Sequence, residues 1–258
     1  MKTINVKHSG NSGDIIYSLP SLLGLKQQGK FDKINFYVHL NVPMGYSAPH
    51  PLGNVLMNED FYLKMKPLLE SQSYINKVAI YNNEKIDIDL DIFRSIPINL
   101  TSFSIPRWYM LFIIGTTYDL SIPWINVEID ETFKDKIMIS RNKRVYSQHI
   151  NYNVLNQYSD KIVFIGVEKE FVDFRIQCPN AKHFYCAIDF LDLAKKIKGC
   201  KGFIGCQGFP FTLAEAIKVN RLLETNNFAP NNIPEGGKHY EALFQQEFDY
   251  WARVIING

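Results

Sequence analysis

From Lys136 to Glu224 the sequence changes rhythm every few residues. Short apolar runs, KIMISR (136–141), KIVFIGV (161–167), KHFYCA (182–187), KGFIG (201–205) and NRLLE (220–224), are read as strands. Between them lie NYNVLNQYS (151–159), EKEFVDFRI (168–176), DFLDLAKKIKGC (189–200) and FPFTLAEAIK (209–218), which are read as helices, the third ending at a C′ glycine, Gly199. Near-continuous apolar strands separated by helices demand a parallel sheet with crossover connections. The first half repeats the order less regularly. KTINVKH (2–8) and KINFYVHL (33–40) flank an amphipathic helical run, IIYSLPSLLGLKQQG (15–29), in which Pro20 requires a first-turn position or a kink. A loop is expected over 41–58, a helix over 59–72 bent near Pro67, and a strand over 75–81. KIDIDLDIF (85–93) alternates like a half-exposed strand, RWYMLFIIG is helical, and 119–130 is extended. A final helix is expected over 238–256.

The fold class that follows is α/β: two Rossmann-like parallel-sheet domains facing a cleft. The expected division is an acceptor-side domain over 1–130, a donor domain over 131–237, and a C-terminal helix over 238–258 packing back across the junction. Ligands of such folds bind beyond the carboxyl ends of the strands.

Composition narrows the function classes. The chain has 258 residues, is 46% apolar and carries a net charge of only +2. That balance gives no support to a dedicated nucleic-acid binder. The 14 Tyr and 18 Phe are read as core material. Four cysteines, Cys178, Cys186, Cys200 and Cys206, form no CxxC pair, so reduced thiols in a cytoplasmic protein are expected. No signal-peptide core is visible, and WYMLFIIG (108–115) is too short to span a bilayer.

Three turns carry candidate chemistry. HSGNSGD (8–14) lacks both the Walker lysine and the GxGxxG spacing. Its glycines still run into a helix start, where free N–H groups and a positive dipole end favour an anion. His8, Gly10, Ser12 and Gly13 are therefore acceptor-side candidates. Asp14 is either a helix cap or a general base. Arg141 and Arg144 follow a strand and suit bidentate phosphate binding, against the plainer reading of a solvated basic loop. Gly166 repeats the strand–glycine–acid pattern ahead of Glu168 and Glu170, either ribose ligands or helix-start acids. Gln207 and Gly208 open a helix after a strand, and Glu215 lies about two turns along it, facing a ligand or solvent. His183 is read as structural.

The run 188–224, IDFLDLAKKIKGCKGFIGCQGFPFTLAEAIKVNRLLE, resembles the donor-binding region of GT-B glycosyltransferases, in particular the heptosyltransferase-like family 9. SGDIIYSLPSLLGLKQQG (12–29) is similar to that group's opening GD…LPAL..L. The likeness implies metal-independent transfer of a sugar from a nucleotide-sugar donor to an acceptor hydroxyl, with Asp14 as base. Arg141, Arg144, Gly166, Gln207, Gly208 and Glu215 would then be on the donor side. No cofactor beyond the nucleotide-sugar co-substrate is implied, and the acceptor (glycan, lipid-linked sugar, protein or modified base) stays open. The family's turn aspartate is replaced here by Gln207 or Cys206, and its helix histidine by Thr212 or Leu213. Two alternatives accordingly stand: a sugar-nucleotide-binding or scaffold protein without turnover, and a metal-dependent transferase using Asp87, Asp89 and Asp91.

Overall fold

The computed structural model describes residues 2–44, 52–101 and 103–258. The loop expected over 41–58 lies partly outside them. The chain divides into two compact units: one reaches to Leu120 and includes Asp189–Leu191, the other holds Ser121–Ile188 and Asp192–Gly258.

The first unit is a four-stranded parallel sheet of β1 (Thr3–His8), β2 (Lys33–Val38), β3 (Ile75–Ile80) and β4 (Ile88–Asp89), in the order β3-β2-β1-β4. Helix α1 (Ser12–Gln27) crosses from β1 to β2, and α2 (Glu59–Glu70) from β2 to β3. α1 is buried on most sides (Ile15, Ile16, Leu19, Leu22 and Gly24 among others) because α3 (Ile105–Arg107) and the π-helical turn Trp108–Ile114 that continues it also pack against it. Pro20 sits mid-helix, beyond the first turn. The hydroxyls of Ser18 and Ser21 fold back to the carbonyls of Ile15 and Ser18 (2.8 and 2.6 Å), giving this stretch side-chain donors where proline supplies none. Pro67 likewise lies inside α2 without ending it.

The alternating run 85–93 forms a strand only at Ile88–Asp89, where it pairs with Val6 and Lys7. Asp89 then caps a 3-10 turn over Leu90–Ser95 by accepting from the Asp91 N–H (3.0 Å). Local capping overrides period-2 patterning.

The second unit holds six parallel strands: β5 (Ile137–Ser140), β6 (Ile162–Ile165), β7 (Phe184–Tyr185), β8 (Gly202–Cys206), β9 (Arg221–Glu224) and β10 (His239–Ala242). Their order, β10-β9-β8-β5-β6-β7, is the 3-2-1-4-5-6 arrangement of doubly wound nucleotide folds, with its switch point between β5 and β8. β5, β6, β8 and β9 are buried along their whole length, the first three as mainly apolar runs and β9 with Arg221 and Glu224 at its ends. The helices are α4 (Glu168–Gln177), α5 (Phe190–Gly199), α6 (Phe209–Ile217) and α7 (Gln245–Asn257). The segment 153–158 is 3-10 rather than α.

The final helix begins at Gln245, not at residue 238. His239–Ala242 form β10 against β9, an edge strand whose half-exposed sequence masked it. α7 buries Phe248, Ala252, Ile255 and Ile256 within the core built on β5, β6, β8 and β9. Residues 121–130 make no ladder. They strap the unit through Trp124 and Ile125 N–H groups on the Ala216 carbonyl and Asp130 N–H on Lys195. Gly199 has no positive φ, so it is not a left-handed cap. A Cβ there would lie 2.0 Å from the Asp130 carbonyl oxygen, so backbone approach is what requires glycine. Among the described residues no helix is long and apolar enough to cross a membrane.

Candidate functional site

In the first unit, strand order reverses between β1 and β4, and the groups at their carboxyl ends meet. His8, the last residue of β1, is fully buried. Its Nδ1 accepts the Gly10 N–H (2.7 Å), so the neutral ring carries its proton on Nε2, which lies 2.9 Å from the Tyr109 hydroxyl. The contact of Nδ1 with Asp91 (3.5 Å) is accordingly not an ion pair. Burial drives the His8 pKa down to about 3, against the pull of Asp91. His8 is thus a buried brace and not the ligand-facing group its position at the strand end led us to expect. Gly10 belongs to the same brace: a Cβ there would lie 2.3 Å from His8 Cε1 and 2.9 Å from Asp14 Cβ.

Acidification supplies a test. The ring stays neutral in the fold down to about pH 3 but protonates near 6.5 when unfolded, so stability is lost as pH falls from 6.5. The expected loss is about 2 kcal/mol between pH 6.5 and 5, at roughly 1.4 kcal/mol per unit. Denaturant titrations of wild type and His8→Gln at the two pH values measure it. The variant should lack this part of the loss.

Asp91 closes the network. Its Oδ1 accepts from the Ser9 N–H (2.8 Å), the Ser9 hydroxyl (2.7 Å) and Arg94 Nη1 (3.2 Å). Burial would raise its pKa; the two Ser9 donors and the Arg94 charge outweigh burial and hold it below the usual carboxylate range. Arg94 Nη2 lies 3.4 Å from Asp14 Oδ2. Asp14 occupies the first turn of α1 with 22% of its side chain exposed. Burial raises its pKa, partly offset by Arg94. The site therefore presents a solvent-reaching carboxylate of raised basicity on a buried polar base. Ser12 Oγ, in the same turn, is buried with no hydrogen-bond partner among the described residues, and Gly13 beside it is half-buried. Asp91, Arg94 and Tyr109 went unmarked as members of this site in the sequence, where they lie far from HSGNSGD.

Of the three acids of the alternating run, Asp89 and Asp91 both reach Lys7 Nζ (2.7 and 3.7 Å), while Asp87 has a separate partner. Asp87 accepts the Asn5 N–H (2.8 Å), Asp89 pairs with Lys7 (2.7 Å), and Asp91 serves Ser9 and Arg94. Among the described residues no group of three or more His, Cys, Asp or Glu side chains is placed to hold a metal ion.

In the second unit, Arg141 leaves the carboxyl end of β5 and crosses behind β8 to Glu224 at the end of β9. Its Nε and Nη2 bond the two Glu224 oxygens (3.0 and 2.9 Å), Nη1 donates to Gln177 (2.6 Å), and Nη2 also reaches the Ser147 and Ile150 carbonyls. Glu224, fully buried, further accepts the Tyr152 hydroxyl (2.9 Å) and the Ser147 N–H (2.7 Å). Burial pushes the Glu224 carboxyl up, opposed by Arg141 and these donors. Arg141 was expected on a phosphate; its guanidinium instead serves this chain's own acceptors. Arg144 is exposed; burial raises the Glu170 pKa, and the Val167 N–H and the Arg144 charge offset this only in part.

Around Arg141 lies a cavity of about 130 Å³ lined by Asn142, Lys143, Tyr146, Glu170, Asp173 and Gln177, among others. Gly166, with φ of 153°, follows β6, where an added Cβ would sit 2.7 Å from Glu170 Oε2. At the switch point, Asn142 donates its N–H and Nδ2 to Cys206 Sγ (both 3.3 Å), and Gly208 leaves 2.9 Å between an added Cβ and Asn142 Nδ2. Gln207 turns away from this edge. Its amide donates to the Ala229 carbonyl and Asn231 and accepts the Asn226 N–H (2.8, 3.1 and 2.6 Å), pinning the loop after β9.

Glu215 is neither at the ligand edge nor at the surface. It lies at the far end of α6, buried against Arg221 (2.5 Å) and Lys218, with the Glu235 N–H on Oε1 (3.1 Å). A nine-residue helix starting at the carboxyl edge of the sheet ends beside the first residue of β9, at the opposite edge. Arg221 then spans to the Glu235 and Gly236 carbonyls (2.9 and 3.1 Å).

This architecture has solved counterparts. A family 9 glycosyl transferase from Veillonella parvula matches with a TM-score of 0.61 at 12% identity, over 98% of this chain and 89% of that one. E. coli ADP-heptose lps heptosyltransferase II gives 0.59 at 12%, over 100% and 99%, and the E. coli heptosyltransferase WaaC with ADP gives 0.62 at 9%, over 98% and 99%. The fold is that of family 9 glycosyltransferases. No protein-family model matches the sequence, and no curated protein matches it.

Proposed function

We propose that the chain is a GT-B glycosyltransferase that moves a sugar from a nucleotide-sugar donor to an acceptor hydroxyl. The observation that carries this reading is Asp14: a part-exposed carboxylate of raised basicity, at the carboxyl end of β1, on a fold shared with heptosyltransferases. Asp14 takes the acceptor's hydroxyl proton as the acceptor oxygen bonds the anomeric carbon. The bond from that carbon to the diphosphate breaks, and the diphosphate leaves with the electron pair. Lys143 and Arg144 supply the cations that stabilise it, the electrostatic term on which such transfer leans most. Glu170, in the first turn of α4 after the second strand of a doubly wound sheet, is the acid we assign to the ribose hydroxyls. Arg141, Gln207 and Glu215 support the cavity walls and the neighbouring loop.

This reading routes no step through a metal; Asp87, Asp89 and Asp91 each have partners within the chain. The unpaired cysteines fit a cytoplasmic protein, where nucleotide sugars are at hand. The acceptor is any hydroxyl that reaches Asp14.

A thermal-shift panel of nucleoside diphosphates and nucleotide sugars, run with EDTA, tests the reading. A matching donor at one hundred times its Kd stabilises by about 2.7 kcal/mol. At 2–4 °C per kcal/mol that is roughly 5–11 °C. Donor consumption by the hits must then follow. No stabilisation by any diphosphate overturns the proposal. Binding without donor consumption selects the second reading, a sugar-nucleotide binder, which is favoured by Gln207 or Cys206 standing in place of the turn acid, Gln207 being tied to its own loop.

A further inference from the structure

We propose that Arg94 is the positioning residue for Asp14, held in place by Asp91. This rests on the transfer reading above. Three observations converge on it. Arg94 divides its guanidinium between the two acids, Nη2 toward Asp14 (3.4 Å) and Nη1 toward Asp91 (3.2 Å). Asp91 is itself anchored to the end of β1 by both donors of Ser9. The guanidinium lies over the Phe93 ring at 4.2 Å, and that ring is stacked on Trp108 (6.1 Å between centroids, 17°). The cation is thus fixed from below by an aromatic face and from one side by an anchored carboxylate. Its remaining direction is toward Asp14. A planar fork shared between two acids and an aromatic face is a task lysine cannot reproduce.

The groups that face Asp14 can be enumerated by element. Arg94 and Asp91 approach from the 3-10 turn, the Tyr109 hydroxyl from the π-helical turn, and the Asn11 backbone from the head of α1; the His8 ring behind them is neutral. Arg94 stabilises the ionised Asp14, while Asp91 opposes ionisation. The two neighbours therefore push the Asp14 titration in opposite directions.

That opposition makes the test specific. The Asp14 carboxyl carbon is titrated by ¹³C NMR in the full chain, without substrate, for wild type, Arg94→Met, Arg94→Lys and Asp91→Asn. Arg94→Met should raise the Asp14 midpoint by about one unit, Arg94→Lys should keep it near wild type, and Asp91→Asn should lower it. Loss of structure alone would not split the signs. On an identified donor, Arg94→Met should cut kcat by roughly 10- to 100-fold with KM little changed, its acid limb moving to higher pH. Arg94→Lys should restore the limb and only part of kcat. An Asp14 midpoint that ignores Arg94→Met overturns the assignment, as does one that moves the same way in Arg94→Met and Asp91→Asn. If Arg94→Met does not fold, Asp91→Asn and Arg94→Lys decide the question alone. If the midpoints split as expected but no variant, wild type included, consumes a donor, the pairing stands and the transfer reading fails.

Discussion

Asp14→Asn should lower donor turnover by about 10²- to 10⁴-fold, the usual contribution of a positioned general base. The substitution keeps the shape of the side chain and leaves an oxygen to accept from Arg94, so the geometry survives while the proton acceptor is lost. The side chain is part-exposed and sits on a helix whose stability comes from Ile15, Ile16, Leu19 and Leu22. Burial already disfavours its ionised form, so removing the charge should not lower the thermal midpoint. Donor affinity should be unchanged, because the proposed donor groups lie on the second sheet. The pH profile adds a second signature. The base must be ionised, and its pKa is raised by burial, so wild-type activity falls with acidification from a point above the ordinary carboxylate range. The residual activity of the variant should lack that acid limb. Turnover within threefold of wild type would remove Asp14 from the chemistry.

Arg141→Met should be the most destabilising single change at the second site. It leaves Glu224, fully buried, facing Tyr152 and the Ser147 N–H with no cation. Breaking a buried pair from one side costs about 3–5 kcal/mol. At 2–4 °C per kcal/mol this lowers the melting temperature by roughly 6–20 °C. Adding Glu224→Gln removes the stranded charge and should recover part of the loss, a coupling that a double-mutant cycle measures directly. The contrary result is as informative. If Arg141→Met melts like wild type but loses affinity for a diphosphate, the guanidinium binds ligand and its bonds to Glu224 are secondary.

These two residues show what a sequence of this kind exposes and what it conceals. The placement of Asp14 at a helix start was legible because its context is local: a strand, glycines and a helix start within a few residues. The second sheet was legible for a related reason. Strands such as 162–165 and 202–206 are buried on both faces, so tertiary structure and apolar pattern agree. Arg141 was misjudged because the group that claims it, Glu224, lies 83 residues on. Glu215 was misjudged because helical length decides which edge of the sheet it reaches, and Arg221 then buries it. Asp91 and Arg94 escaped the site for the same long-range reason, since the 3-10 turn that aims them follows a two-residue strand that periodicity overstated. β10 was lost inside an amphipathic-looking run because an edge strand need not be apolar.

The Arg141–Glu224 pair has a consequence for how the second unit comes apart. A doubly wound sheet is two mononucleotide-type halves side by side, here β5–β7 and β8–β10, and nothing in that plan obliges them to fray together. One cation rooted in the first half and closed on an anion in the second acts as a rivet through the seam. Neither half can peel off without stranding a charge in the other, so the sheet opens as a single cooperative block.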